Sequence, residues 1–205
     1  MKKNDYIIRL ETKDDYRIVE NLTREAFWNI YRPGCTEHYV LHQFRHRKDF
    51  VPELDFVMEK DGNIIGHVMY AYSSILSSEG KSIPIMTFGP ISILPDFKRQ
   101  GYGTILLQYS MQKAKEMGAN ALAITGNIAF YGKSGFVTAK SKDIRYADDP
   151  EAEYFLITEL TPHFLDKITG TYKDPSGYFV DDASAEKFDA NFPKKKKLRL
   201  PGQIF

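Results

Sequence analysis

Along residues 6–12, YIIRLET, an apolar start gives way to mixed apolar and polar positions, and the stretch reads as a short strand. The pattern then changes. Ile18, Val19, Leu22, Ala26 and Phe27 share one face of a helix predicted over 16–28, with Thr12 and Asp15 as a capping-box variant before it. Pro33-Gly34 closes that unit, and Thr36 is placed to cap a second helix over 37–47. Residues 53–73 read as two strands about an Asp61-Gly62-Asn63 turn. Residues 81–94 read as another strand, interrupted by Gly89-Pro90; proline lacks a ladder donor, so a bulge or splay is expected there. Gly103, Leu106, Leu107, Ser110, Met111, Ala114 and Met117 then fall on one helical face, with Gly118 as the stop. Residues 121–126, ALAITG, are almost wholly apolar, as in a central buried strand. Residues 128–136 are short and glycine-broken, and 151–160 is the last clear strand.

This order, βαα, three strands, then αβαβ, predicts a mixed α/β (α+β) domain over 1–160 with a mainly antiparallel central sheet flanked by helices. Beyond Thr161 the patterning weakens. Residues 161–205 are expected to be a C-terminal extension packed on the domain or on a partner through Tyr172, Tyr178, Phe179, Phe188, Phe192 and Phe205. At 42% hydrophobic and 27% charged, the composition is that of an ordinary soluble globular chain. A formal net charge of +1 supplies no global field for nucleic acid or an acidic membrane, so neither is expected as a partner. The lone cysteine, Cys35, excludes an intrachain disulfide framework and a cysteine-based zinc cluster, and fits a reducing compartment. No signal-peptide core and no membrane-length apolar run is visible, and a cytoplasmic location is expected.

Residues 95–107, PDFKRQGYGTILL, carry the most specific chemistry. A helix N-terminus offers unpaired backbone N–H groups and the positive end of its dipole, a combination that binds phosphates. Gly101 and Gly103 let backbone approach an anion closely, and Lys98 and Arg99 add charge. The stretch is neither a Walker loop nor a complete dinucleotide fingerprint. With its preceding strand it resembles motif A of the GNAT superfamily, the acetyl-CoA-dependent N-acetyltransferases: a strand, a proline, then [Q/R]-x-x-G-x-[G/A] opening a helix. Lys98 stands at the Gln/Arg position, a departure from that pattern. Phe130 to Phe136, FYGKSGF, looks like a second signature of the family, and residues 88–94, FGPISIL, resemble its splayed strand. The three motifs span 86–136, with weaker similarity over 6–160.

The resemblance implies direct attack of a primary amine on the acetyl thioester in a ternary complex, with acetyl-CoA as cosubstrate and no metal required. Much of the catalysis would then be positioning. By resemblance, backbone groups of Ile91, Ser92 and Ile93 pair with the pantetheine arm and polarise the thioester carbonyl. Lys98, Arg99, Gln100, Gly101, Tyr102, Gly103 and Thr104 form the pyrophosphate site. Tyr131 is implied as general acid to the departing thiolate, since a phenol of reference pKa about 10 is protonated at neutral pH. Asn127 is implied as a bond to the pantetheine or a water. The acceptor is a small-molecule or peptide amine, and the protein a monomer or homodimer. A non-catalytic acyl-CoA-sensing module is the alternative.

The attacking amine must be neutral, so a base or water chain is expected, for which Glu25, Glu37, His38, His42 and His67 are candidates. His38, His42 and His46 recur every four residues; a straight helix sets the first and third about 12 Å apart, too far to share one ion. An exposed helix face is their expected role. The lysines of 193–202 are expected to be a solvated terminal segment, although such a run also suits nucleic acid, and DDPEAE at 148–153 a polar loop that could attract a cationic acceptor. Direct transfer needs no nucleophilic cysteine, and no His pairing for Cys35 is visible.

Overall fold

A computed structural model describes residues 5–203; Phe205 of the aromatic tail lies outside them. In chain order the elements are β1 (Ile7–Leu10), α1 (Tyr16–Phe27), α2 (Glu37–Phe44), β2 (Phe56–Lys60), β3 (Asn63–Ser77), β4 (Ser82–Ile93) and α3 (Tyr102–Glu116). They continue as β5 (Ala121–Thr125), α4 (Ile128–Tyr131), β6 (Val137–Thr138), β7 (Ile144–Tyr146), β8 (Phe155–Glu159), β9 (Gly170–Tyr172) and α5 (Asp182–Asp189). The fold is mixed α/β. Strand pairs are mainly antiparallel, with parallel pairing at β4–β5 and β7–β9. The chain forms two compact units from separated stretches: Met1–Met69, Pro90–Leu106 and Ser176–Phe205 in the first, Tyr70–Gly89 and Leu107–Pro175 in the second. These units do not divide at residue 160, where sequence patterning stops.

In the first unit β1 pairs β2, and β2 pairs the start of β3 about a turn whose Asp61 and Gly62 both take left-handed φ, 49° and 76°. Two left-handed residues give the turn the twist that a two-strand hairpin needs. Val19, Leu22, Leu41 and Phe44 of α1 and α2 are buried. The Thr12–Asp15 box forms as expected. The Asp15 carboxylate accepts the Thr12 N–H at 2.8 Å and hydroxyl at 2.7 Å, and also grips Arg9. Thr36 does not cap α2 with its side chain; instead Glu37 turns back to accept the Thr36 N–H at 2.9 Å. The helix stops at Phe44, short of the expected Arg47. Arg45 beyond it reaches Glu11 at 2.6 Å, and Arg47 reaches Asp49 at 2.8 Å.

The last part of the chain completes this unit with a helix that periodicity did not reveal. Asp181 caps α5 by accepting the Ser184 N–H at 2.9 Å. From its end, Asp189 binds the buried Arg24 Nε at 2.5 Å. Phe188 and Phe192 lie against His38 with ring centroids 5.5 and 5.2 Å away. Tyr178 packs on Phe44 at 4.7 Å. The lysine run lies along α1: Lys195 binds Glu25 at 2.6 Å, and the Lys196 carbonyl accepts the Trp28 indole N–H at 3.1 Å.

In the second unit β4 runs parallel to β5 only at Met86 and Thr87, opposite Leu122 and Ala123. β5 pairs antiparallel with β8 along its length, and β8 with β6. β9 joins β3 and β7. Ile75, Ile85, Ala123, Phe155, Ile157 and Tyr172 form the core. β4 runs on through Gly89-Pro90, with Gly89 left-handed at φ 116°, but its pairing with β5 ends at Thr87 while β5 continues to Thr125, the expected splay. On α3, Leu107, Ser110 and Ala114 are buried as expected, whereas Met117 is 42% exposed because the helix ends before it.

Candidate functional site

The turn into α3 belongs to the first unit. Pro95–Phe97 form one 3₁₀ turn, the Lys98 N–H closing on the Pro95 carbonyl at 3.2 Å. Arg99 and Gly101 then take left-handed φ, 62° and 90°. Left-handed residues alternating with ordinary ones turn successive N–H groups toward one concavity, a backbone arrangement that binds anions. A non-glycine residue there is strained, and such strain concentrates at functional sites. The Ile105 N–H takes the Gly101 carbonyl at 3.1 Å, and α-helical geometry leaves Tyr102, Gly103 and Thr104 N–H without intrahelical partners. A Cβ at Gly101 would meet no protein atom within 4 Å. Its backbone angle, not crowding, requires glycine. Arg99 and Gln100 are exposed. The Tyr102 ring is buried between Tyr6 and Phe97, 6.3 and 6.1 Å away, so only its backbone faces the turn's chemistry. The Lys98 ammonium donates to the Ala26 carbonyl at 2.7 Å, near the end of α1. It is thereby tied to a helix C-terminus.

Ile91, Ser92 and Ile93 end β4 in the same unit. The Ser92 side chain is buried and bonds Thr23 at 3.2 Å, while Ile91 and Ile93 are partly exposed. The chain leaves the strand through a Leu94 N–H bond to the Ile65 carbonyl at 2.9 Å.

Asn127 and Tyr131 bracket α4 in the second unit. Asn127 caps the short helix, its Oδ1 accepting the Ala129 N–H at 2.8 Å. The Tyr131 ring is 8% exposed and meets Phe130, Phe136 and Phe88 at 4.8, 5.6 and 5.8 Å. Behind it the Gly126 N–H donates to the Tyr154 carbonyl at 2.8 Å.

The candidate bases separate by burial. Glu25 is bound by Lys195. Glu37 is raised by burial. His38 and His67 are fully buried, and desolvation holds each at about 4, so both are neutral at pH 7. His42 keeps 42% of its side chain exposed while bonding Glu20 at 2.8 Å. The three helix histidines do not form an exposed face: His38 turns inward to Asp189 at 3.1 Å. Cys35 does have a histidine partner that its spacing did not reveal, His38 Nδ1 at 3.5 Å. Burial pushes the Cys35 thiol pKa far up, which keeps the sulfur a thiol.

Among the described residues, Glu11, Asp55 and His67 are near enough to share an ion, their ligand atoms within 4.8 Å of one another. Protein groups already use these atoms. Arg45 holds both Glu11 oxygens at 2.6 and 2.9 Å, and His67 Nε2 lies 2.7 Å from Asp55. Burial pushes Asp55 up to about 6 and Glu11 up to about 8. Among the described residues no helix is long and apolar enough to cross a membrane.

Residues 24–136 match the model of the acetyltransferase (GNAT) family. An uncharacterized N-acetyltransferase of Escherichia coli, YhbS, is 24% identical over 165 residues, covering 80% of this chain and 93% of the relative. An N-alpha-acetyltransferase of Sulfurisphaera tokodaii is 29% identical over 139 residues, covering 60% of this chain and 80% of the relative. The crystal structure of YhbS in complex with CoA superposes with a TM-score of 0.75 at 22% identity, over 87% of this chain and 94% of that one. A GNAT acetyltransferase from Brucella melitensis in complex with acetyl-CoA gives 0.68 at 21% identity, over 86% and 100%.

Proposed function

Because the chain belongs to the GNAT acetyltransferase family, we propose that it moves an acetyl group from acetyl-CoA to a primary amine by direct attack in a ternary complex. The observation that carries this reading is the turn before α3, with left-handed Arg99 and Gly101 opening a 15-residue helix. Its backbone N–H groups from Arg99 to Thr104 take the pyrophosphate. Lys98 supports the turn through Ala26 instead of adding charge to the ligand. Backbone groups of Ile91 to Ile93 pair with the pantetheine arm and polarise the carbonyl, a preorganised contact that strengthens as charge develops on oxygen.

Tyr131 is the general acid. A phenol, with a reference pKa of about 10, holds its proton at neutral pH and can pass it to the departing thiolate. Asn127 serves this chemistry by capping α4, the helix that carries Tyr131. The acceptor is a primary amine on a small molecule or peptide, delivered neutral so that its lone pair attacks.

Titration calorimetry with acetyl-CoA, with ATP and NADH as controls, tests the binding half. Micromolar affinity for acetyl-CoA is expected. Gly101→Val, forced into a dihedral that a β-branched residue resists, should weaken it at least about tenfold. The catalytic half is tested by release of free CoA thiol from acetyl-CoA over a panel of polyamines, amino sugars, amino acids and peptides with free N-termini. Folded protein that binds no acetyl-CoA ends the enzyme reading. Binding with no thiol release over the whole panel favours the sensing module.

A further inference from the structure

The loop between β5 and α4 contains a residue to which neither the sequence motifs nor the family comparison gives a role. Gly126 faces the Cε2 edge of the Tyr131 ring. A Cβ built on Gly126 would lie 3.0 Å from Tyr131 Cδ2 and 3.4 Å from Cζ, and closer still to Cε2. Real carbon contacts of this kind do not approach so near, so either the ring or the loop would have to move.

Neither has free space. The loop is pinned from behind by the Gly126 N–H bond to the Tyr154 carbonyl at 2.8 Å. It is pinned ahead by Asn127, whose side chain caps α4 and whose carbonyl accepts the Phe130 and Tyr131 N–H groups at 3.0 and 3.1 Å. The ring is walled on its other sides by Phe88, Phe130 and Phe136. Gly126 at its Cε2 edge and three phenylalanine rings thus bound its position.

We propose that Gly126 is a positioning residue for the acetyl transfer. The missing side chain fixes where the Tyr131 hydroxyl sits, and any side chain at 126 displaces the acid from the leaving sulfur. The inference rests on the reading of Tyr131 as general acid. Displacement of a reacting group by about 1 Å costs on the order of a hundredfold in rate. Gly126→Ala is the smallest such perturbation, one methyl group with no change of charge.

Two double-mutant cycles test it, and they separate this inference from the reading beneath it. The first measures thermal stability of wild type, Gly126→Ala, Tyr131→Ala and the double variant, and needs no acceptor. Gly126→Ala should lower Tm in the wild-type background and leave it almost unchanged once the ring is gone. Equal losses in both backgrounds would show that the methyl group offends something other than Tyr131, and the proposal falls. The second cycle measures CoA thiol release from acetyl-CoA over the pooled amine panel, using Gly126→Ala, Tyr131→Phe and their combination.

Gly126→Ala should lower kcat about a hundredfold with acetyl-CoA affinity changed less than twofold, and it should add nothing to Tyr131→Phe. Additive losses overturn the proposal. Full activity in Tyr131→Phe, with the stability coupling intact, overturns the general-acid reading and leaves Gly126 as the seat of a structural tyrosine. Undiminished kcat in Gly126→Ala beside an inactive Tyr131→Phe overturns the positioning role alone. If no thiol is released by any protein, the stability cycle alone decides whether Gly126 seats the ring.

Discussion

At the scale of single residues, the informative side chains are those whose surroundings determine their charge. Tyr131 lies among three phenylalanines, and its replacement by Phe keeps that packing while removing the proton. Tyr131→Phe should lower kcat by about 10²-fold or more and leave acetyl-CoA affinity near that of the wild type. His38 makes a different kind of prediction. Burial holds it at about 4, below its ordinary 6.5, although Asp189 pulls the other way. Arg24 and Arg17 also face it, and both oppose its charging. The unfolded chain therefore takes up a proton between pH 6.5 and 4 that the folded chain refuses. His38 costs nothing above pH 6.5, and its cost grows as pH falls to 4, where it reaches about 3 kcal/mol. Denaturant unfolding of wild type and His38→Gln at pH 7 and at pH 4 measures this. The variant's stability relative to wild type should improve by about that amount at the lower pH. Much of this was invisible in sequence: i, i+4, i+8 spacing makes three histidines look like one exposed face, and only α5 packing against α2 turns the first inward.

At the scale of elements, the most legible parts were those whose physics is local. The hairpin at Asp61-Gly62, the Thr12–Asp15 box and the stop at Gly118 each need only neighbours in sequence, and each forms. The turn into α3 was legible as a helix mouth, but its mechanics were not. Two glycines suggested freedom to approach an anion. The folded turn places the left-handed residues at Arg99 and Gly101, and Gly103 is not among the positive-φ residues. Gly101 is therefore the sensitive position. Gly103→Ala should weaken acetyl-CoA binding less than Gly101→Ala, as calorimetry with both variants would measure; the reverse order would mean that close approach at Gly103 matters more than the dihedral at Gly101. Lys98 shows the same limit. Its charge suggested a phosphate contact, and spacing alone did not reveal that its ammonium donates to the Ala26 carbonyl.

At the scale of the whole molecule, the chain enters each compact unit more than once, and the first is completed by its last segment, Ser176 onward. Arg24 shows what that segment contributes. Its guanidinium is 1% exposed, bound by Asp189 and stacked 4.2 Å from the Trp28 ring. Removing Asp189 leaves a buried cation without its main counter-charge, which costs about 3–5 kcal/mol. Asp189→Ala should lose roughly that much in chemical denaturation, whereas Lys197→Ala, which removes a half-exposed partner of Glu186, should lose less than about 1 kcal/mol. Equal and small losses would mean that the C-terminal segment adds little to the first unit.

Read alone, the sequence determined most local elements from Ile7 to Glu159, though not β6, β7 or the end of α2, and with them the mixed α/β class and the family, because apolar periodicity, turn residues and a glycine-bearing helix mouth act over a few positions. Tertiary structure decided the rest. It placed α5, a short, charged helix that has no stable existence apart from Arg24, His38 and the aromatic contacts that receive it. It paired Cys35 with His38, sent Lys98 to Ala26, and set Gly126 against the edge of the Tyr131 ring. The α5 and Lys98 contacts depend on which surfaces meet in three dimensions, and the two local ones on how the fold holds α2 and α4, neither of which spacing along the chain encodes.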